Sequence, residues 1–523
     1  MSKNNETPAN SDNPNADGVD SDDLDLDGVD SDDLDSDNLD DFDNLESMTS
    51  LGSLKDLEVT ENTDADDREA GEYDDDLYER DGLAVYEALL ERVGESAPAP
   101  RLSATRRAVE MLGDPQRAYP VIQITGTNGK TSTSRMVESL LRAHDLRTGL
   151  LTSPHLERVN ERIVIDGSPI SNQALADNWR DITPFLELAD AELIAAGEER
   201  LTFFEALTVL AFAAFADAPV DVAVLEVGMG GEWDSTNVAD AQVAVFAPVA
   251  LDHQSRLGST VQEIAATKAG IIKDDAAVVS ASQLPEVTAE LERAAAAHGT
   301  TLSGEGNEFA LESSTVAVGG QVISVRGLAG TYTELFLPLF GDHQAHNAAL
   351  AIAAVESFIG GGTQQLGSDV VAEGLATVTS PGRLQLVGIE PTVLVDAAHN
   401  PHGALALAAA LPTYFTFDHI TAVVGILADK DAEGIIRALN PVVNEFVVSQ
   451  SSSDRSVDAD DLATIVVAIA GADRVLVEPS LEAAMDTARD QASRTDKGAV
   501  LVAGSITLVA DVMAMAEDQG WKK

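Results

Sequence analysis

From about residue 81 onward, apolar and polar positions follow two alternating periods. "GLAVYEALLERV" (82–93) and "SATRRAVEMLG" (103–113) carry apolar residues at helical spacing. "PVIQIT" (120–125), "DVAVLEV" (221–227), "QVAVFAPV" (242–249) and "AAVVSAS" (276–282) are short β-branched runs with helical stretches between them. Strand–helix alternation of this kind predicts βα units and a mostly parallel sheet. The segment from "STVAVGGQVISVRG" (314–327) to "ELFLPL" (334–339) reads as a β-hairpin insertion. "TSPGRLQ" (379–385) is Pro/Gly punctuation and predicts a linker. A second α/β set follows it: "TVLVDAA", "ITAVVGIL", "EFVVSQ", "RVLVEP" and "GAVLVAGS". The pattern therefore predicts two α/β domains, over 81–380 and 381–523, behind a segment 1–80 of a different kind.

That first segment is acidic and repetitive, with "DGVDSDDLD" at 17–25 and again at 27–35. It has too little apolar surface to fold and is expected to be a disordered tail. "DLDLDG" (Asp23 to Gly28) matches the opening of an EF-hand calcium loop. The twelfth position, which needs a bidentate Glu, is Leu34, so a solvated tail is the default reading. The acidity is not confined there. Residues 1–80 carry 29 acids and 4 bases, leaving 60 acids and 28 bases for the rest of a chain whose net charge is -57. Such a charge excludes a general nucleic-acid binder. It suits a salt-rich, halophilic cytoplasm, where at about 1 M salt the Debye length falls to roughly 3 Å. Cysteine is absent, which rules out disulfides and thiolate metal sites. No basic-then-apolar N-terminus marks a signal peptide. The longest apolar segment, "ALTVLAFAAFA" (206–216), is far short of the ~20 residues that span a bilayer. The expectation is a cytosolic protein with no membrane partner.

Lysine is scarce, nine against 23 arginines, and Lys130, Lys268 and Lys430 all fall in motifs. The first is "TGTNGKTS", Thr125 to Ser132, between a strand and a helix. Gly126 and Gly129 let the backbone turn so that N–H groups, including those of Thr127 and Asn128, face a phosphate. Lys130 adds a point charge at the β/γ oxygens, and a following hydroxyl reaches Mg²⁺. Ile124 stands where the standard loop has its first glycine, so this is a short variant, G-x-x-G-K-T. Glu226 ends the strand "DVAVLE", and a carboxylate there, across from a phosphate loop, is well placed for Mg²⁺.

The loop resembles that of the Mur-ligase-like family of ATP-dependent amide ligases, and within it the folylpolyglutamate synthase/dihydrofolate synthase group. A dozen blocks agree in order: "MLGDPQRAYP", "TSPHL", "ERIVIDG", "TFFEALT", "LEVGMGGEWDSTN", "LDHQSRLG", "IAATKAGIIK", "HQAHNAAL", "SPGRL", "VDAAHNPHGA", "VGILADKD" and "VAGSITLV". They span roughly 101–510. The resemblance implies an α/β fold: a Mur-ligase-like P-loop ATPase domain with a parallel sheet, and a C-terminal Rossmann-like α/β domain, with the active site in the cleft.

The resemblance also implies roles. Magnesium ligands fall on Glu226, Ser153 and His253, with a loop hydroxyl that is Thr131 by position after Lys130 or Ser132 by the family's usual glycine-then-serine. Lys268 matches a lysine often carbamylated into a carboxylate-like metal ligand, although Thr267 replaces the acid that commonly precedes it. Asn347 resembles the adenine-contacting asparagine, and Arg383 reaches ATP phosphates from the second domain. Asp396 and His399 are assigned to ATP contact and catalysis, the aspartate holding the histidine. Asp234 matches a pteroate-binding position, and Phe204 suits stacking on a flat pterin. Gly230 and Gly231 would let the backbone pass close to nucleotide or substrate. Glu232 stands where the family has a basic residue, by surface bias or altered substrate contact. Lys430 and Ser505 fall in second-domain blocks without an assigned role.

The implied activity is ATP-dependent addition of L-glutamate to dihydropteroate and to reduced folates through an acyl phosphate, by a monomer. Two other readings remain: a Mur-type ligase for a different carboxylate, which "TSPHL" and "GGEWDSTN" disfavour, and a non-catalytic nucleotide switch. A switch has no use for Lys130, Glu226, His253 and Arg383 together.

Overall fold

A computed structural model describes residues 78–94 and 100–521. The acidic repeat and the calcium-loop opening lie outside the described residues. The first part is built on an eight-stranded sheet: β1 (Val121–Thr125), β2 (Thr148–Leu151), β3 (Ile163–Ile165), β4 (Ser168–Pro169), β5 (Val222–Glu226), β6 (Val243–Phe246), β7 (Ala277–Ser280) and β8 (Leu302–Gly304). Their order is 4-3-2-5-1-6-7-8. Strands β2, β5, β1, β6, β7 and β8 run parallel, while β3 and β4 add an antiparallel edge.

The central strands are apolar along their whole length because both faces are covered. Successive side chains point to opposite faces. Ile122, Ile124, Val222 and Val224 join a core with helices Lys130–Ala143 and Asp342–Gly360. Val121, Ala223 and Leu225 join another with helices Glu79–Leu90, Ser103–Met111, Asn172–Ala195 and Phe203–Asp217. Gln123, buried inside β1, donates its amide to the Thr236 hydroxyl at 2.9 Å, which offsets part of the cost of burial, while its Oε1 has no protein partner. The predicted hairpin is a three-stranded antiparallel sheet of β9 (Ala310–Ala317), β10 (Gly320–Arg326) and β11 (Thr331–Leu337).

Residues 377–384 lead into a six-stranded sheet: β12 (Gln385–Gly388), β13 (Thr392–Asp396), β14 (His419–Val424), β15 (Glu445–Val448), β16 (Val475–Val477) and β17 (Gly498–Ala503), ordered 12-13-17-14-15-16. All its pairings are parallel except β12 with β13. Alternation again divides it between two cores: Leu394, Val424 and Leu501 on one face, Val395, Val423 and Val502 on the other. The two parts meet through apolar contacts at their margins. Leu156 of the first packs into a core of the second, and the Phe340 ring lies 5.8 Å from that of Tyr414. Among the described residues no helix is long and apolar enough to cross a membrane.

Candidate active site

In each large sheet, three neighbouring strands send their carboxyl ends toward one cavity of about 890 Å³. From the first sheet, β1 runs into the glycine turn, β5 ends at Glu226 and β6 leads to the 247–253 loop. From the second, β13 ends at Asp396, β17 leads to Ser505 and β14 leads to Lys430. Carboxyl ends of adjacent parallel strands are where open α/β sheets bind ligands.

The phosphate loop is held from several sides. Gly129 has φ +86°, a left-handed conformation that L side chains rarely adopt. A Cβ there would sit 2.7 Å from Oδ1 of Asn347. Thr127 N donates to the Pro248 carbonyl at 2.8 Å, and the Thr127 hydroxyl to that of Ala250 at 3.0 Å. Asn128 N donates to the same Pro248 carbonyl at 3.3 Å, so contrary to expectation the Thr127 and Asn128 N–H groups are engaged within the protein, and it is the N-terminus of the helix opened by Lys130 that is left for a phosphate. The Lys130 ammonium donates to the Gly126 and Thr127 carbonyls, both at 3.3 Å. Burial pushes its pKa down, and Glu226 and Asp252 act against that.

Glu226 is 1% exposed. Burial raises its pKa, while Lys130 and a hydrogen bond from Thr131 oppose the rise. The Thr131 hydroxyl donates to Oε1 at 2.8 Å, and Ser153 N to Oε2 at 3.3 Å. Thr131, directly after Lys130, is thus the hydroxyl beside the carboxylate. Ser132 instead faces Ser380 across 3.0 Å and accepts from Gln344. His253 follows in a left-handed conformation, φ 48°, a local strain of the kind functional sites keep. Its pKa is lowered to about 4, by burial first and by Lys430 and Lys130, with Asp252 opposing. Among the described residues no three His, Asp or Glu side chains converge as a metal cage. The oxygen set of one carboxylate and two hydroxyl residues, with His253 lining the same cavity, is chemically suited to a hard, largely hydrated cation.

Lys268 lies in the last turn of helix Val261–Ala269 and is 3% exposed. Nζ donates to the Gly126 carbonyl at 2.7 Å. Burial, then the nearby Lys130, lower its pKa to about 7. Asn347 is buried beside the glycine turn and donates to Gln344. Phe204 lines the cavity, its ring against Gly228 and Asp234. Asp234 accepts from Met229 N and from the amide and hydroxyl of Thr236, so it braces the turn after β5.

Apart from Gly231 and Glu232, the residues singled out for the site in the sequence line this one cavity: the loop 126–132, Ser153, Phe204, Glu226, Asp234, His253, Lys268, Asn347, Arg383, Asp396 and His399. Two further expectations need correction. Asp396 does not hold His399. It ends β13 and accepts from Leu384 N and Ala398 N, both at 2.8 Å, with Arg383 and His343 as its charged neighbours. The aspartate facing His399 is Asp252, its Oδ2 3.7 Å from Nε2, while His399 Nδ1 donates to the Ala397 carbonyl at 2.9 Å. Burial and the adjacent Lys430 lower the His399 pKa to about 4. The glycine pair also divides: Gly230 lines the cavity, but Gly231 packs against the Lys268 backbone, where a Cβ would meet the carbonyl at 2.6 Å. Glu232 is exposed and does not line the cavity, which favours surface bias over substrate contact.

Sequence reading missed Asp252 and Asn400, and it missed the wall of Tyr86, His155, Arg162 and Phe203. There the Tyr86 and His155 rings meet edge-on at 5.4 Å, and the Arg162 guanidinium lies 5.1 Å from the Phe203 ring centre. The acid beside His253 in "LDHQ" was the available signal for Asp252.

Comparison with known proteins agrees with this geometry. The Mur ligase middle domain matches residues 124–355, and the Mur ligase glutamate ligase domain matches 382–506. The dihydrofolate synthase/folylpolyglutamate synthase of Mycobacterium tuberculosis is 46% identical over 416 residues, 78% of this chain and 85% of that protein. The solved M. tuberculosis folylpolyglutamate synthase complexed with ADP superposes with TM-score 0.80 at 43% identity, covering 84% of this chain and 99% of that one. An Escherichia coli structure in complex with DHPP and ADP gives TM-score 0.73 at 30% identity, covering 84% and 98%. Strand-end chemistry, two-domain architecture and sequence thus converge: the chain belongs to the Mur ligase family, in its dihydrofolate synthase/folylpolyglutamate synthase branch.

Proposed function

We propose that this protein is an ATP-dependent ligase that joins L-glutamate to dihydropteroate and, in further rounds, to reduced folates. The observation that carries the reading is the single cavity. It places a phosphate loop, a buried carboxylate, a cross-cleft arginine and an aromatic wall around one space. Lys130 and the N-terminus of the helix it opens hold the β- and γ-phosphates. Arg383 faces them from the second domain, and Asn347 contacts the adenine. The pterin lies against Phe204 and Asp234, which directs its carboxylate to the loop. That carboxylate takes the γ-phosphoryl group and ADP leaves. The amine of glutamate then attacks the acyl carbon, the C–O bond to phosphate breaks, and the amine's proton is given up. Enclosure between the domains keeps water from the acyl phosphate.

Mg²⁺ fits the donor set of Glu226, Thr131, Ser153 and His253, and when bound it neutralises charge on the phosphate oxygens. Lys268 is proposed to be carbamylated. Its buried amine, with a pKa near 7, is substantially neutral at physiological pH, and the neutral amine is the form that adds CO₂. ¹³C-bicarbonate labelling followed by NMR tests this by a carbamate signal that Lys268→Met abolishes. We further read the protein as a cytosolic monomer working at high salt, without nucleic-acid or membrane partners, in keeping with its net charge of -57.

Mass spectrometry of products tests the activity. The protein is incubated in high KCl with ATP, Mg²⁺ and glutamate, with dihydropteroate in one tube and a reduced folate monoglutamate in another. Glutamate-sized mass gains in both are expected. A gain in one assigns a single activity, and no gain in either, with ATP still bound, refutes the ligase for these acids.

A further inference from the structure

One side chain gathers several of the polar contacts between the domains, beside separate ones such as Tyr414 to Gln321 at 2.8 Å and Asn128 to His402 at 2.9 Å. Asp252 belongs to the loop after β6 and is 10% exposed at its side chain. It receives the Lys430 ammonium, 6% exposed, at 2.9 Å on Oδ1. Its Oδ2 accepts from Nδ2 of Asn400 at 3.1 Å and lies 3.7 Å from Nε2 of His399. Three second-domain residues, two from the end of β13 and one from the loop after β14, with β17 between those strands, thus meet one first-domain carboxylate. Asn400 also joins the phosphate loop itself through a reciprocal amide pair: Asn128 donates to Asn400 at 3.2 Å, and Asn400 to Asn128 at 3.0 Å. Asn400 caps helix Pro401–Tyr414 by accepting from Gly403 N, so what it grips moves with that helix. A charge pair with so little solvent access is strong in its correct geometry, and it leaves an uncompensated buried charge when one partner is lost.

We propose that Asp252 is a positioning residue. Its carboxylate sets the register of the second domain on the phosphate loop by gripping Lys430 and Asn400, and it thereby places His399 over the reacting groups. The proposal deepens the ligase reading and acts through that same site. Apolar contacts at Leu156 and Phe340 bring the two domains together without specifying an angle. Directional hydrogen bonds to one carboxylate do specify it.

The absence of cysteine allows a direct test. Exposed Leu188 and Leu405, one in each domain, are replaced by cysteine and labelled in the full chain, and the distance distribution is measured in high KCl with Asp252 intact or as Asp252→Asn. The intact protein should show one narrow distance, and Asp252→Asn a broader and longer one. Ligation by Asp252→Asn should fall about 10²-fold through kcat, the scale for an ångström of misplacement, with KM for ATP unchanged. Lys430→Met should do the same, and the double variant should be no worse than either single one. A distance distribution unmoved by Asp252→Asn overturns the proposal, as do losses that multiply in the double variant. Should Asp252→Asn not fold, Asn400→Ser, which retains the helix cap but draws back from Asp252, must widen the same distribution. The distance readout needs no turnover, so a protein that fails to ligate refutes the proposed function without deciding the role of Asp252.

Discussion

Replacing Gly129 by alanine probes the most constrained point of the phosphate loop. Two penalties act together. The backbone at φ +86° places an L residue in the left-handed region, which costs about 1–2 kcal/mol. The new methyl also sits 2.7 Å from Oδ1 of Asn347, a side chain held by its 3.1 Å bond to Gln344. Displacing it breaks that bond, at roughly 1 kcal/mol. A total of about 2–3 kcal/mol is a large share of a typical 5–15 kcal/mol stability. At about 2–4 °C per kcal/mol, it lowers Tm by roughly 5–10 °C. Gly113 separates the two penalties, because it has φ +82° but a Cβ there meets nothing within 4 Å. Gly113→Ala should show the backbone penalty alone. Thermal denaturation with and without ATP measures both variants. Gly129→Ala should be the less stable and should lose most of its ATP-induced shift, while Gly113→Ala keeps the shift in full. Equal Tm losses, or an ATP shift retained in Gly129→Ala, would refute the account of the loop.

Arg383→Ala in the full chain should cut turnover by about 10²–10³-fold, as removal of a transition-state donor does, and leave ATP affinity nearly intact. Equal losses of both, read by nucleotide titration beside steady-state kinetics, would place the arginine in simple ATP binding. Thr131→Val should raise the Mg²⁺ concentration for half-maximal activity at least ~10-fold while Ser132→Ala does so weakly, because of these two hydroxyls it is that of Thr131 which donates to Glu226. The reverse order would make Ser132 the metal-side hydroxyl. Lys268 gives a pH signature. Its pKa falls from 10.5 unfolded to about 7 folded, so between those values the unfolded chain binds more protons and stability rises with pH. Denaturant titrations in CO₂-free buffer from pH 7 to 10 should show that rise in the wild type and a flatter dependence in Lys268→Met. Identical slopes would refute the depressed pKa.

Much of the site was legible because its chemistry is local. The glycine turn, Lys130 and Thr131 are contiguous between a strand and a helix, and Glu226 ends an unmistakable apolar run. Both sheets were readable for the same reason, since strands buried on two faces are apolar throughout. The relations between distant segments were not readable. Asp252 meets Lys430 across 178 positions and Asn400 across 148, and nothing near "LDHQ" distinguishes a gripping carboxylate from a solvated one. Proximity along the chain also misled: Asp396 and His399 are only three positions apart, yet the turn after β13 sends them to different partners. Tyr86, His155, Arg162 and Phe203 come from separate segments, and no local pattern joins them.

Both halves of the reaction chamber are built on buried strands, with three strand ends in each. The chamber is complete only when the two halves are posed against each other. Swung apart, the first half still has its whole phosphate loop and the second still has its histidine and lysine, yet no acyl transfer can occur. If the pose proposed for Asp252 governs reaction, nucleotide would be loaded without being consumed until the halves meet. Such an arrangement protects the cell's ATP from futile turnover when the acceptor is scarce. It also means that a substitution far from every substrate, provided it alters that pose, can silence the enzyme while leaving each half intact by any local measure.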